Sequence, residues 1–203
     1  MVIFVEPHHD DFLLSAGMCL LTKTKQVDRV ITVFSSDGNN RGTRELCESE
    51  CIDYRELNFP NINWKQPSVK FDADIFYNSL ASEIRGCDNI MSVLGIGNYA
   101  HYFLRIALTK IATVNQRNNL LLFRDFPHSY DKSKLHGMPF ELYSRDFRKV
   151  LEVGTEGLFL DKIQLFKKYY SHQKALLWFE KEQFETFVPE EIYELDTKES
   201  FWK

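Results

Sequence analysis

The sequence predicts an α/β protein: a doubly wound, mostly parallel, Rossmann-like sheet with helices on both faces. Three observations carry this. Short apolar runs of strand length recur along the chain, at 2–5, 30–34, 90–94 and 120–123. Most are followed by a polar or glycine-bearing turn and then by a stretch with apolar residues at helical spacing, the alternation that builds βα units. Ionisable residues recur in the turns after successive strands, the end of an open α/β sheet where ligands bind.

Taken in order, Val2-Ile3-Phe4-Val5 opens a buried first strand over 2–6, and 11–24 follows as a helix containing Gly17. The β-branched run Val30-Ile31-Thr32-Val33-Phe34 is a second strand. It enters a polar loop with Asp37, Gly38 and Asn39, after which 43–56 reads as a helix opening at Thr43. The stretch 58–68, with Pro60, Pro67 and several asparagines, reads as an irregular loop. Residues 72–85 have an aspartate start and a glycine, Gly86, just past the end, which are helix punctuation. A strand at 90–94 leads through Gly95 and Gly97 into a helix over about 99–114. A strand at 120–123 leads into Arg124-Asp125-Phe126-Pro127-His128. Residues 129–145 read as irregular and aromatic-rich, 147–153 as a strand, 158–180 as a helix with a break near Tyr170-Ser171-His172, and 192–195 as a terminal strand.

The 203 residues suit a single domain spanning the chain, and 44% hydrophobic with 27% charged residues is ordinary globular composition. A net charge of −4 gives no general pull toward nucleic acid or anionic membranes. No apolar run approaches the roughly 20 residues that span a bilayer, and the first residues lack the basic start of a signal peptide. The expectation is a cytoplasmic protein. Cys19, Cys47, Cys51 and Cys87 then read as reduced thiols, with Cys47 and Cys51 on one helix face.

The stretch Glu6-Pro7-His8-His9-Asp10-Asp11 packs two imidazoles and two carboxylates into the turn between the first strand and its helix. Imidazole with carboxylate suits zinc or a similar divalent ion. A helix N-cap accounts for one aspartate, but not for two beside two histidines. The sheet topology brings Asp37, Asn39, Arg41 and Arg44, then Asn98 and His101, then Asp125 and His128, toward the same crevice.

These residues resemble the LmbE/PIG-L family of zinc-dependent deacetylases of N-acetylglucosamine and similar N-acyl amino sugars. The family's opening histidine–proline–aspartate–aspartate run matches His8-His9-Asp10-Asp11, with Ser15-Ala16-Gly17 behind it. Its second block matches Phe34-Ser35-Ser36-Asp37-Gly38 and Arg44-Glu45, and its third matches Gly97-Asn98-Tyr99-Ala100-His101. Lys162 through Gln173 is similar to a later family helix. The resemblance implies that His8, Asp11 and His101 hold Zn2+, that Asp10 is the general base, and that Arg44 reaches a sugar hydroxyl. The implied activity is removal of an acetyl or other acyl group from a small amino-sugar substrate by metal-activated water.

The chain departs from the family pattern at three places. Asn98 replaces the first histidine of the third block, where charge on the tetrahedral intermediate is stabilised. Asparagine donates only a neutral hydrogen bond. Phe12 replaces a glutamate, and His9 replaces the proline. These departures keep two alternatives in view: a non-catalytic metal- or sugar-binding member of the fold, and an amidase acting on a peptide-like or thiol conjugate. Asp37 is a candidate for sugar hydroxyls or simply a turn former. Asp125 is a candidate for orienting His128, a metal ligand or the substrate amine, and His128 for lining the entrance. The aromatic residues Tyr130, Phe140, Tyr143 and Phe147 are candidates for stacking on a sugar ring or for loop packing.

Overall fold

The computed structural model describes residues 1–24, 26–35, 41–62, 72–115, 119–126, 128–130, 147–170 and 187–195. In chain order the elements are β1 (Val2–Glu6), α1 (Asp11–Thr22), β2 (Arg29–Ser35), α2 (Arg41–Ser49), β3 (Asp53–Pro60), α3 (Ala73–Glu83), β4 (Asn89–Val93), α4 (Tyr99–Asn115), β5 (Asn119–Phe123), β6 (Phe147–Val153), α5 (Glu156–Tyr170) and β7 (Glu190–Leu195). The strands form one seven-stranded sheet in the order β3-β2-β1-β4-β5-β7-β6. Pairings from β3 through β5 are parallel. β7 runs antiparallel to both β5 and β6. This is the doubly wound, mostly parallel sheet expected from the alternation of apolar runs.

Side chains of β1 alternate between two cores, as the strand period of two requires. Phe4 packs with Phe12, Phe123, Phe166 and Tyr170 on the face covered by α1, α2 and α5. Ile3 and Val5 pack with Phe76, Leu80, Leu104 and Leu108 on the face covered by α3 and α4. Burial on both faces is why β1 and β2 read as unbroken apolar runs. Phe12, the departure from the family's glutamate, is a core residue whose ring lies 4.9 Å from that of Phe4.

The chain winds outward from β1 through β2 to β3, then returns to β4 on the other side of β1. The turns leaving β1 and β4 therefore diverge to opposite faces, which opens a crevice between them.

One expectation is corrected. A single helix over 43–56 gives way to α2, ending at Ser49, and to β3 over Asp53–Pro60, part of which had read as loop. Cys51 adopts a left-handed conformation (φ 58°) that stops the helix, so Cys47 and Cys51 do not share a helix face. β3 lies at one edge of the sheet. Its polar, alternately exposed Asp53-Tyr54-Arg55-Glu56 suits an edge and hides the strand from an apolar pattern. Ser171, His172, Gln173, Asp37, Asn39, Phe140 and Tyr143 lie outside the described residues, as does the helix expected beyond Tyr170.

A buried ion pair ties α5 and β7 to α1. Lys162 Nζ donates to Glu190 Oε1 at 2.8 Å, and the same carboxylate accepts the backbone N–H groups of Met18 (2.8 Å) and Cys19 (2.9 Å). Gly17 makes the approach possible, because a Cβ there would stand 3.0 Å from Lys162 Cγ. Breaking a buried pair on one side strands the other charge. Lys162→Met is expected to lower unfolding free energy by about 3–5 kcal/mol in denaturant titration, whereas a change in Arg41, which pairs with Glu45 at the surface, is expected to shift it by less than about 1 kcal/mol.

Candidate active site

The turn after β1 is fixed from several sides. Asp11 N–H donates to His8 O at 3.1 Å and Phe34 N–H to Pro7 O at 2.9 Å. The Thr43 hydroxyl donates to His9 O. Beneath the turn, buried Glu6 reaches forward: its Oε2 accepts Phe12 N–H at 2.8 Å and its Oε1 accepts the Thr32 hydroxyl at 2.6 Å. Burial pushes the Glu6 carboxyl well above the usual range, and Asp11 and Asp10 add to it, against the pull of Thr32 and Phe12 N–H.

Three side chains from two distant turns meet above it. His8 Nδ1 lies 3.2 Å from His101 Nε2 and 3.3 Å from Asp11 Oδ2, and His101 Nε2 lies 3.2 Å from that same oxygen. Asp11 Oδ2 also accepts His8 N–H at 2.9 Å. Among the described residues these three form the group able to hold a metal ion. Atoms bound tetrahedrally to zinc at about 2.0–2.1 Å stand about 3.3 Å apart. The observed triangle has that size, and one face of a tetrahedron leaves a fourth position open.

Each imidazole is oriented from behind. His101 Nδ1–H donates to Asp125 Oδ1 at 2.7 Å, leaving Nε2 to face the triangle. His8 Nε2–H donates to Asn61 Oδ1 at 3.2 Å, leaving Nδ1 to face it. Such partners set the tautomer that a metal requires. Both oxygens of buried Asp125 are engaged, the second by Ile96 N–H at 3.1 Å. Asp125 therefore orients His101 and is not placed to contact a substrate.

His101 is seated by a close approach of backbone to backbone. Gly95 has φ +79°, and a Cβ there would stand 2.8 Å from Tyr102 Cα and 2.9 Å from His101 O. Asn98 Oδ1 accepts Ala100 N–H at 3.0 Å at the start of α4, which leaves its amide N–H groups for the cleft.

The triangle lies at one side of a cleft of about 250 Å³ lined by His8, His9, Asp10, Asp11, Leu14, Asn98, His101 and His128. Asp10 sits at the N-cap position of α1, yet its side chain makes no capping hydrogen bond. Burial, and then the charge of Asp11, push its carboxyl up to about 7, against the pull of His8 and His101. Burial also works against the Asp11 carboxylate, but His101 and His8 outweigh it and hold Asp11 well below its ordinary value. Burial works against the His101 imidazolium too, and Asp11 and Asp125 outweigh it, taking His101 up to about 10. The ring of His128 stands edge-on to that of His101, with centroids 5.3 Å apart.

Arg44 stands apart from this group. Its Nη2 donates to Glu56 Oε1 at 2.7 Å, and its guanidinium lies over the Tyr54 ring. Glu6 and Asn61 are the site residues that sequence reasoning missed. Glu6 reads as the end of a strand and Asn61 as one asparagine among several in a loop, and no local signal separates either from those readings.

No family model matches the sequence, and no curated protein does. Solved structures do. A deacetylase of the teicoplanin biosynthesis pathway superposes with a TM-score of 0.63 at 16% identity, over 95% of this chain and 96% of that one. The zinc-inhibited form of teicoplanin deacetylase gives 0.60 at 14% identity, over 95% and 97%. The N,N'-diacetylchitobiose deacetylase of Pyrococcus horikoshii gives 0.56 at 12% identity, over 89% and 73%. The chain shares the fold of these structures. The fold implied by the resemblance is thus the fold observed.

Two outcomes test the electrostatics. Asp125→Asn is expected to weaken zinc binding about 10- to 100-fold in chelator competition. In chelator-treated protein, His101 has a folded pKa near 10 against 6.5 for a free imidazole. Its stabilising contribution is complete below about 6.5 and is lost as pH rises through about 10. The Tm difference between wild type and His101→Gln is expected to narrow across that window.

Proposed function

We propose that the chain is a zinc-dependent N-deacetylase acting on an N-acetyl amino sugar, alone or within a larger glycoside, and that residues 1–203 form one such domain. The observation that carries this is the triangle of His8, Asp11 and His101 with the uncapped carboxylate of Asp10 beside it. Two imidazole nitrogens and one carboxylate oxygen at this spacing suit Zn2+ with an open position. The neighbours named above are deacetylases, one of them acting on N,N'-diacetylchitobiose and one captured in a zinc-inhibited form.

Bound there, zinc supplies a Lewis acid for the acetyl carbonyl and lowers the pKa of a bound water toward about 7. The chain's own residues supply the rest. Asp10 takes the proton that water gives up as its oxygen joins the carbonyl carbon. With a carboxyl near 7 it is matched to proton transfer around neutral pH. Asn98 holds amide N–H groups toward the cleft as neutral donors for the carbonyl oxygen. When the C–N bond breaks, Asp10 returns its proton to the nitrogen, so one water and one amide become acetic acid and an amine, and the acid releases its remaining proton to solvent as acetate. Asp125 and Asn61 keep the two imidazoles aimed throughout.

Substrate contacts extend to His128 at the cleft and to Arg44 on α2, and Asp37 is carried as a further candidate from the sequence alone. Arg44 reaches a sugar hydroxyl by exchanging Glu56 for it. The free cysteines fit a cytoplasmic setting, and no helix among the described residues is long and apolar enough to cross a membrane.

The test is elemental analysis followed by acetate release from N-acetylglucosamine and N,N'-diacetylchitobiose, with and without chelator. Zinc near one per chain and chelator-sensitive acetate release are expected. Asp10→Asn is expected to lower kcat about 10²- to 10⁴-fold while keeping the metal. Stoichiometric zinc with no turnover would favour the binding-only reading instead.

A further inference from the structure

The cleft has one hydrocarbon wall. Of the side chains lining it among the described residues, Leu14 alone is apolar throughout, and the others are histidines, aspartates and an asparagine. Leu14 lies three residues after Asp11 on α1, so the two share a face of the helix, with Cβ atoms about 5–6 Å apart. An acyl group whose carbonyl is held at the triangle has an apolar end to bury, and a polar wall offers it no gain. Leu14 is the apolar surface that the lining offers it.

That wall does not yield. Leu14 is 1% exposed and belongs to the core that includes Phe12, Leu13, Phe123 and Phe126. Close-packed interiors accept an extra methylene only with displacement of neighbours. Asp11, one turn earlier, is tied to His8 N–H, so α1 cannot shift away to make room without opening the triangle.

We propose that Leu14 is the specificity-determining residue that limits the acyl group to acetyl. This rests on the deacetylase reading above and deepens it by naming the acyl class. A methyl group ends against the Leu14 side chain, whereas propionyl and butyryl chains run into it. A single methylene against such a wall is worth about 10- to 200-fold in kcat/KM.

The experiment has two arms on the zinc-loaded full chain. In the first, hydrolysis of N-acetyl-, N-propionyl- and N-butyrylglucosamine is compared for wild type, Leu14→Ala and Leu14→Val. The valine variant removes one methylene and guards against loss of folding in the alanine variant. Wild type is expected to favour acetyl over propionyl at least about tenfold, and both variants to bring that ratio down, alanine further than valine. In the second arm, acetate, propionate and butyrate are titrated into the same proteins by calorimetry, which needs no turnover. Wild type is expected to bind acetate most tightly, with the preference relaxed in both variants. Equal handling of the three acyl lengths by wild type, or a preference unchanged in folded Leu14→Ala and Leu14→Val, overturns the proposal. Absence of turnover with acetate selection intact overturns the amino-sugar reading and leaves the acyl wall standing.

Discussion

Asp11 Oδ2 is a single buried carboxylate oxygen with three nitrogens around it: the backbone N–H of His8 and the facing ring nitrogens of His8 and His101. A buried negative charge is tolerated only when it is neutralised close by. Two carriers of positive charge fit at this point. One is a proton on His101, which Asp11 and Asp125 hold there up to about pH 10. The other is a divalent cation, which needs His101 neutral at Nε2. Uptake of a metal here would therefore be an exchange of a proton for an ion at an already assembled set of donors. Asp125 serves both forms, since Nδ1–H donates to it either way.

That one oxygen can gather partners from residues 8 and 101 because of how the sheet is wound. β1 and β4 are neighbours paired in register, Val2 with Asn89 through Val5 with Ser92, although the chain visits β2 and β3 between them. The ends of these two strands are consequently rigid and adjacent, and each turn leaving them carries part of the site. Glu6 and Thr32 fasten the floor of the first turn, and Gly95 and Asn98 shape the second. The parallel sheet is thus visible as a means of holding two short turns at a fixed separation.

Much of this is legible from the residues in order. Strands β1, β2, β4 and β5 announce themselves because they are buried on both faces and must be apolar throughout. Helix α3 announces itself through Asp72, whose side chain accepts the N–H groups of Asp74 and Ile75, and through Gly86 beyond its end. The convergence of the turns that carry His8, Asp11 and His101 follows from the topology once the strands are placed, whereas the choice of these three as a ligand set is what the family resemblance implies. What stays hidden is whatever depends on tertiary neighbours. β3 is an edge strand with charged side chains, and its polar pattern mimics a helix surface. Asp125 leaves three alternatives open in the sequence, orienting His128, a metal ligand or the substrate amine, until His101 is seen in front of it. Asn61 and Glu6 acquire their roles only through partners 53 and 26 residues away. Arg44 follows the pattern of its motif, while its guanidinium is spoken for by Glu56.

Gly95 contributes no side chain to the chemistry, yet the first turn of α4 rests directly on its α-carbon. Any side chain at that position would act as a wedge against the backbone of His101 and Tyr102, which seats the imidazole. The placing of His101 opposite residues 8 and 11 thus depends on bare backbone at position 95.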